Sequence, residues 1–365
     1  MLVGVVSEIK RGERRCALTP AGAAELVGDG HHVIVQNGAG AGSGYEDEDF
    51  SSAGARLADD PSEVWQTADL LLKVKEPVPA EYHGLRNGQI LFTYLHLAAD
   101  RPLTDALLTS GTTAVAYETV VDDAGRLPLL APMSEIAGRL AAQAAASFLL
   151  DPVGGRGLLI GGVPGVAPAH VTILGGGVVG IQAAKVACGM GAEVTILDRS
   201  LPRLRELDDL FGGRARLLVS SRMAIEEELR RADAVIGAVL VPGASAPRLV
   251  TRAGLALLPR RAVLVDVAID QGGCFETSRP TTHDDPVYEV DEILHYCVAN
   301  MPGAAPRTAT RALTSATLPY VRRIAGLGID AAIAIDPGIA PGVNVREGEL
   351  LCPPVAEAFG LAVAA

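Results

Sequence analysis

From Leu2 to about Thr119, short apolar runs alternate with longer stretches whose apolar residues recur at helical spacing. Leu2 to Val6, Val33 to Val35, Leu70 to Val74, Ile90 to Tyr94 and Thr113 to Tyr117 read as strands. Strands that alternate with helices in this way predict a parallel sheet. One helix carries both of its end signals: Thr19 can cap, Pro20 takes the first helical position, and Gly30 lies just beyond AGAAELVGD. The glycine-rich NGAGAGSGYEDED lacks the lysine of a phosphate-binding P-loop and reads as a turn.

A second helix start lies at Pro132, Met133 and Ser134 and opens SEIAGRLAAQAAASFLL, whose alanines suit close approach to a neighbouring helix. GGRGLLIGGVPGVAPAH is glycine and proline punctuation. Further strands are expected at about Leu217 to Val219, Ala234 to Ile236, Val263 to Val267 and Tyr296 to Val298. From Thr308 the run TATRALTSATLPYVRRIAGLG is helical in period, with Pro319 midway as the point for a kink. The tail after it shows no clear strand. This predicts a discontinuous first domain, residues 1–130 and 305–365, with a second α/β domain, residues 131–304, inserted into it.

Within the inserted part, Gly175, Gly177 and Gly180 form a G-x-G-x-x-G turn in VTILGGGVVGIQAAKVACGMGAEVTILDRS, between an apolar run and a helical pattern. Gly175 permits the tight turn, Gly177 lets backbone approach a pyrophosphate, and Gly180 lets helix press on strand. The N–H groups at the helix start then face the anion. Asp198 ends the next apolar run, where a carboxylate accepts from ribose hydroxyls and repels a 2′-phosphate, so NAD is expected over NADP. Arg199 and Arg203 pull the other way. The fold class expected is α/β, with two doubly wound Rossmann-like domains and a cleft between them.

Length and composition narrow the function classes. A chain of 365 residues exceeds what one core usually fills. Although 49% of residues are hydrophobic, no apolar run reaches the roughly 18 residues of a membrane helix. MLVGVVSEIKRGERR places its charges after its apolar stretch, the reverse of a secretory signal, so a cytoplasmic location is expected. The net charge of −12 argues against nonspecific nucleic-acid binding. Cys16, Cys188, Cys274, Cys297 and Cys352 are scattered without C-x-x-C spacing, and the histidines, His31 and His32 included, show no ligand spacing. Neither disulfides nor a metal site are expected.

Ligands of open parallel sheets bind beyond the carboxyl ends of strands. Arg15 follows the first strand, Lys75 ends LLKVKEP, His96 ends ILFTYLH and Asp270 ends AVLVDVAID. Arginine offers a planar fork to a carboxylate, and lysine can neutralise or polarise an adjacent oxygen. Histidine exchanges protons near neutral pH, and aspartate can orient water or hold a developing cation. With a nicotinamide nearby, the set suits hydride removal from a carbon bearing oxygen or nitrogen.

In GVVSEIKRGERRCALTP, ADLLLKVKEP, ILFTYLHLA, APMSEIAGRLAAQ, the glycine turn, VIGAVLVPGASAP, VDVAIDQGGCFETSRPTT and YCVANMPGAAPRTAT, taken in that order, the chain resembles the alanine dehydrogenase and pyridine nucleotide transhydrogenase family. The resemblance implies reversible oxidative deamination of L-alanine to pyruvate and ammonia with NAD, by a homohexamer. It implies substrate binding by Arg15 and Lys75, and proton transfer by His96 and Asp270, in an order that stays open. It also implies a cofactor lining of Ser134, Gly175, Gly177, Val178, Val179, Gly180, Asp198, Arg203, Ser220, Val239, Leu240, Val267, Ala268, Ile269, Asp270, Arg279, Val298, Ala299, Asn300 and Met301. Arg203 stands where relatives commonly carry lysine. Ala305 replaces a more typical valine and, with Arg14, leaves a larger 2-oxo acid open as substrate. The alternatives are the nucleotide-binding part of a transhydrogenase, a saccharopine-type dehydrogenase and a catalytically silent NAD-binding protein.

Overall fold

The computed structural model describes residues 1–239 and 246–363. Its strands in chain order are β1 (Leu2–Val5), β2 (His32–Gln36), β3 (Arg56–Ala58), β4 (Leu70–Leu72), β5 (Ile90–Thr93), β6 (Thr113–Ala116), β7 (His170–Leu174), β8 (Glu193–Asp198), β9 (Arg216–Val219), β10 (Ala234–Gly237), β11 (Val263–Asp266), β12 (Val287–Val290), β13 (Ile293–Tyr296), β14 (Val343–Arg346) and β15 (Glu349–Leu350). The chain divides into two compact units, Met1–Met133 with Ala305–Ala365, and Ser134–Ala304.

The first unit holds a sheet in the order β15-β14-β6-β5-β4-β1-β2-β3, with β1 to β6 all parallel. β4, β5 and β6 are buried along their whole length, which is why they read as unbroken apolar runs. After β3 the chain returns to place β4 beside β1, so strand order reverses there and the crevice for a ligand opens at the β1/β4 carboxyl ends. Gly4 in β1 permits a tight fit, since a Cβ there would lie 2.5 Å from the Ala68 Cβ. The helix Pro20–Gly28 starts as its sequence signals: Thr19 accepts a hydrogen bond from the Gly22 N–H at 3.1 Å.

The second unit holds the order β12-β13-β11-β10-β7-β8-β9, reversing between β7 and β10. All its pairings are parallel except β12 with β13. In the helix Ala131–Phe148, Ala137, Ala141, Ala142 and Ala145 are buried in one cluster with Ile173, Ala183, Ala184 and Ala187. A Cβ on Gly138 would meet the Val179 carbonyl oxygen at 2.2 Å, so small residues set this approach.

Several elements differ from the sequence reading. The tail does carry strands: β14 joins β6 antiparallel with a shift of register between Val343 and Val345, and β15 pairs with β14. β3 has only three residues, and β12 is a half-exposed edge, so neither leaves an apolar run to detect. β13 covers Ile293–Tyr296 rather than Tyr296 to Val298. Its His295 is fully buried, with partners in the Thr277 Oγ1 at 2.7 Å and the Ile293 carbonyl at 2.9 Å, and a satisfied core histidine breaks the apolar pattern. The acidic end of NGAGAGSGYEDED is the helix Asp47–Ser52, closed by a reciprocal Glu46–Asp49 capping box. Pro319 lies inside the helix Pro306–Leu327, which is a single element.

Thr19→Ala removes the cap that starts the Pro20–Gly28 helix and is expected to cost about 1 kcal/mol. Urea unfolding monitored by circular dichroism checks this, and an unchanged midpoint would contradict it.

Candidate functional site

The loops that follow β1, β4 and β5, three neighbouring strands, carry Arg15, Lys75 and His96. Arg15 is nearly fully buried. Its Nε and Nη2 donate to the two Glu13 carboxylate oxygens at 2.6 and 2.5 Å, and Nη1 faces the Met133 sulfur at 3.0 Å. The fork expected to meet a substrate carboxylate thus already engages an internal one, which fixes the guanidinium plane. Burial acts to lower the Arg15 pKa, but the Glu13 hydrogen bonds and charge outweigh it and raise the group above its ordinary value.

Lys73 and Lys75 part company just after β4. Lys73 is fully buried and donates to Glu8 at 3.1 Å and Glu81 at 2.8 Å, while Lys75 is half-buried. Glu8 also accepts from the Val74 N–H at 2.5 Å and the Lys75 N–H at 3.3 Å, so this carboxylate holds the backbone that carries Lys75. Burial pushes the Glu8 carboxyl above its usual range, against the pull of Lys73.

His96 has an exposed ring and a left-handed backbone, φ 49 and ψ 35. Such a conformation costs energy for a residue with a Cβ and persists only where surrounding contacts hold it. Here the Glu118 carboxylate accepts from the His96 N–H at 2.6 Å and the Leu95 N–H at 3.0 Å. The imidazole Nδ1 lies 3.5 Å from the Glu76 Oε2.

In the second unit, the glycine turn follows β7 and the helix Val178–Gly189 opens with Gly177 as its N-cap. Gly175 has φ 107, which only glycine takes without strain. A Cβ on Gly180 would meet the Gly175 carbonyl at 1.9 Å, whereas a Cβ on Gly177 would meet nothing within 4 Å. The Asp198 carboxylate accepts from the Gly176 N–H at 2.7 Å and the Ser200 N–H at 2.8 Å, which locks it beside the turn. An open cradle at a helix N-terminus with a fixed carboxylate next to it fits the pyrophosphate and ribose of a dinucleotide. Arg203 donates from Nε to the Gly176 carbonyl at 2.7 Å and pairs with Glu206 at 2.5 Å; it braces the turn. Arg199 instead lines a pocket of about 570 Å³ with Ser220, Ile225, Arg248, Leu249 and Val250.

The other sequence candidates of this unit follow strand ends too. Val239 comes after β10, and Leu240 lies outside the described residues. Val267, Ala268, Ile269 and Asp270 follow β11, with Ala268 and Ile269 buried and Asp270 exposed in the short turn Ile269–Gln271. Asp266, fully buried at the end of β11, anchors this segment by accepting from the N–H groups of Ala268 at 3.1 Å and Cys274 at 2.8 Å. Val298, Ala299, Asn300 and Met301 follow β13; Val298 and Met301 are buried, and Asn300 is left-handed at φ 60. The Arg279 guanidinium stacks over the Tyr288 ring at 4.0 Å. Ser134 is half-buried near the start of the helix Ala131–Phe148. Among the described residues no cluster of histidine, cysteine and acidic groups is arranged for a metal, and no helix is long and apolar enough to cross a membrane.

Sequence reasoning missed the carboxylates that hold these candidates: Glu8, Glu13, Glu76, Glu118 and Asp266. A glutamate beside a lysine reads as a surface charge until burial is known, so only the immediate succession of Lys75 and Glu76 offered a signal.

The family model for the alanine dehydrogenase/PNT N-terminal domain matches residues 4–137, and that for the C-terminal domain matches residues 141–353. The alanine dehydrogenase of Mycolicibacterium smegmatis is 57% identical over 361 residues, covering 99% of this chain and 97% of that protein. A solved structure of L-alanine dehydrogenase shares 50% identity and a TM-score of 0.95, covering 99% of each chain. A transhydrogenase structure from Sinorhizobium meliloti has a TM-score of 0.83 at 24% identity, covering 96% of this chain and 100% of that one, a likeness of fold. Two family models that together span nearly the whole chain, and a relative at 57% identity, make this protein a member of the alanine dehydrogenase and pyridine nucleotide transhydrogenase family.

Proposed function

We propose that the protein catalyses the reversible oxidative deamination of L-alanine to pyruvate and ammonia with NAD. The observation that carries the reading is the carboxyl edge of the first sheet, where loops after three neighbouring strands supply Arg15, Lys75 and His96. Arg15, its plane set by Glu13, and Lys75 hold the substrate carboxylate. Gly175 to Gly180 and Asp198 hold NAD, which when bound accepts the hydride from the α-carbon. Asp198 favours NAD because a 2′-phosphate would meet its charge.

His96 and Asp270 manage the protons. One proton leaves the substrate ammonium so that its nitrogen lone pair can form the iminium as the α-carbon is oxidised. A second leaves the water that adds to the iminium carbon; one then returns to the nitrogen while the carbinolamine hydroxyl gives up its own, so that the C=O of pyruvate forms as the C–N bond breaks and ammonia departs. Lys75 offers a positive charge to the developing carbinolamine oxygen. The reading extends to a cytoplasmic homohexamer, supported by the family resemblance.

A panel of amino acids with NAD and NADP, followed by absorbance of the reduced nicotinamide, is expected to show turnover with alanine and NAD. No alanine-dependent signal, or faster oxidation of NADH with lysine and 2-oxoglutarate than with pyruvate and ammonia, would refute the reading. Gly177→Ala, whose new methyl enters the open cradle, is expected to leave stability unchanged and weaken NAD binding by roughly tenfold or more, about 1.4 kcal/mol. Gly180→Ala is expected instead to destabilise the fold by about 1–3 kcal/mol through the clash with the Gly175 carbonyl. Calorimetric NAD titration and thermal melts separate the two, and equal behaviour would count against the cradle. Light scattering on the eluted protein is expected to give the mass of six chains; a monomer mass would overturn the hexamer.

A further inference from the structure

We propose that Glu76 is the positioning residue of His96, its carboxylate taking the imidazole Nδ1–H so that Nε2 is the atom that exchanges protons with the substrate. The inference rests on the role given to His96 above and concerns what makes that role workable. An exposed imidazole on a loop has two neutral tautomers and free rotation about its side-chain bonds, and either freedom lowers the fraction of molecules ready to move a proton.

Three observations converge on Glu76. Its Oε2 lies 3.5 Å from the His96 Nδ1, and this oxygen is buried with no hydrogen-bond partner. Its Oε1 is already taken by the Lys10 ammonium, so the carboxylate is held from one side and directed from the other. The His96 backbone is pinned in its left-handed conformation by Glu118, which restricts where the ring can point. At 3.5 Å the pair is at the outer limit of a hydrogen bond, and catalytic contacts of this kind tighten in the reacting complex.

The chemistry then has one solution. An ionised carboxylate only accepts, so the nitrogen facing it must carry hydrogen, which leaves Nε2 as acceptor. Burial acts to raise the Glu76 carboxyl, but the hydrogen bond to His96 and the charges of Lys75 and Lys10 outweigh it. The group therefore stays ionised well below the usual carboxylate range. Other charged or titratable groups bearing on the pair are Tyr82 near Glu76, the Tyr94 ring with its centroid 5.9 Å from that of His96, and Glu118 at the His96 backbone. As Nε2 gains a proton the ring becomes cationic, and the Glu76 charge stabilises that form.

The test compares Glu76→Gln, Glu76→Asp and His96→Ala in the intact enzyme. Glu76→Gln keeps the shape but removes the charge and can donate to Nδ1, favouring the wrong tautomer. It is expected to lower kcat for alanine oxidation by about 10–100-fold. KM for alanine is expected to stay close to its original value, since Glu76 acts on the proton transfer and not on binding of the substrate carboxylate. NAD affinity and melting temperature are expected to stay at their original values, and Glu76→Asp to recover part of the rate. In the His96→Ala background, read as a residual rate at high enzyme concentration, adding Glu76→Gln is expected to cost nothing further. A rise in KM that accounts for the lost kcat/KM, or the same loss with and without His96, would overturn the proposal. So would a fall in stability that tracks the lost rate. Full turnover by His96→Ala would overturn the assignment of His96 itself, and the pairing with it.

Discussion

Because β1 to β6 pair in parallel, each crossover carries the chain back to the opposite edge before the next strand begins, and all six strands end on the same side. The second unit obeys the same constraint from β7 to β11. Residues far apart in sequence thereby gather along one edge. Buried strands permit no functional groups along their length, so chemistry is confined to the few residues just past each strand end.

Those residues need holding, because a loop beyond a strand has lost its ladder of hydrogen bonds. The fold answers with carboxylates. Glu8 takes the N–H groups at Val74 and Lys75, Glu118 those at Leu95 and His96, Asp198 that at Gly176, and Asp266 those at Ala268 and Cys274. A carboxylate can accept several bonds at once, which suits it to converging backbone donors. Several of these groups are deeply buried, and desolvation opposes their charge, most clearly at Glu8 and Asp266. Removing one partner from such a site strands a buried charge and costs far more than a surface ion pair.

Much of this was legible in sequence where local physics decides the outcome. Thr19, Pro20 and Gly30 bracket a helix because capping and backbone geometry act over a few residues. Leu70 to Val74 and Ile90 to Tyr94 announce strands because burial on both faces demands unbroken apolar runs, and polar residues placed just after them are conspicuous. Elements that depend on distant partners were not legible. β14 is a strand because β6 offers it an edge, and β13 reads poorly because its buried His295 is satisfied in part by Thr277, outside its own strand. The carboxylates that orient Arg15, Lys75 and His96 were invisible for a similar reason: their significance lies in being buried, and a charged letter carries no sign of that.

The partnership of β6 and β14 has a consequence for how the molecule is made. β6 ends at Ala116 and β14 begins at Val343, so on the ribosome the first sheet waits for its next strand while the whole second unit is synthesised. At about 5–20 residues per second, that interval is on the order of ten seconds or more. During it, an apolar strand edge stands uncovered, the kind of template that draws in other chains. The nascent protein thus passes through a stage in which its inserted unit is complete and the unit begun first is not, so exposure to other chains is greatest for the part translated first.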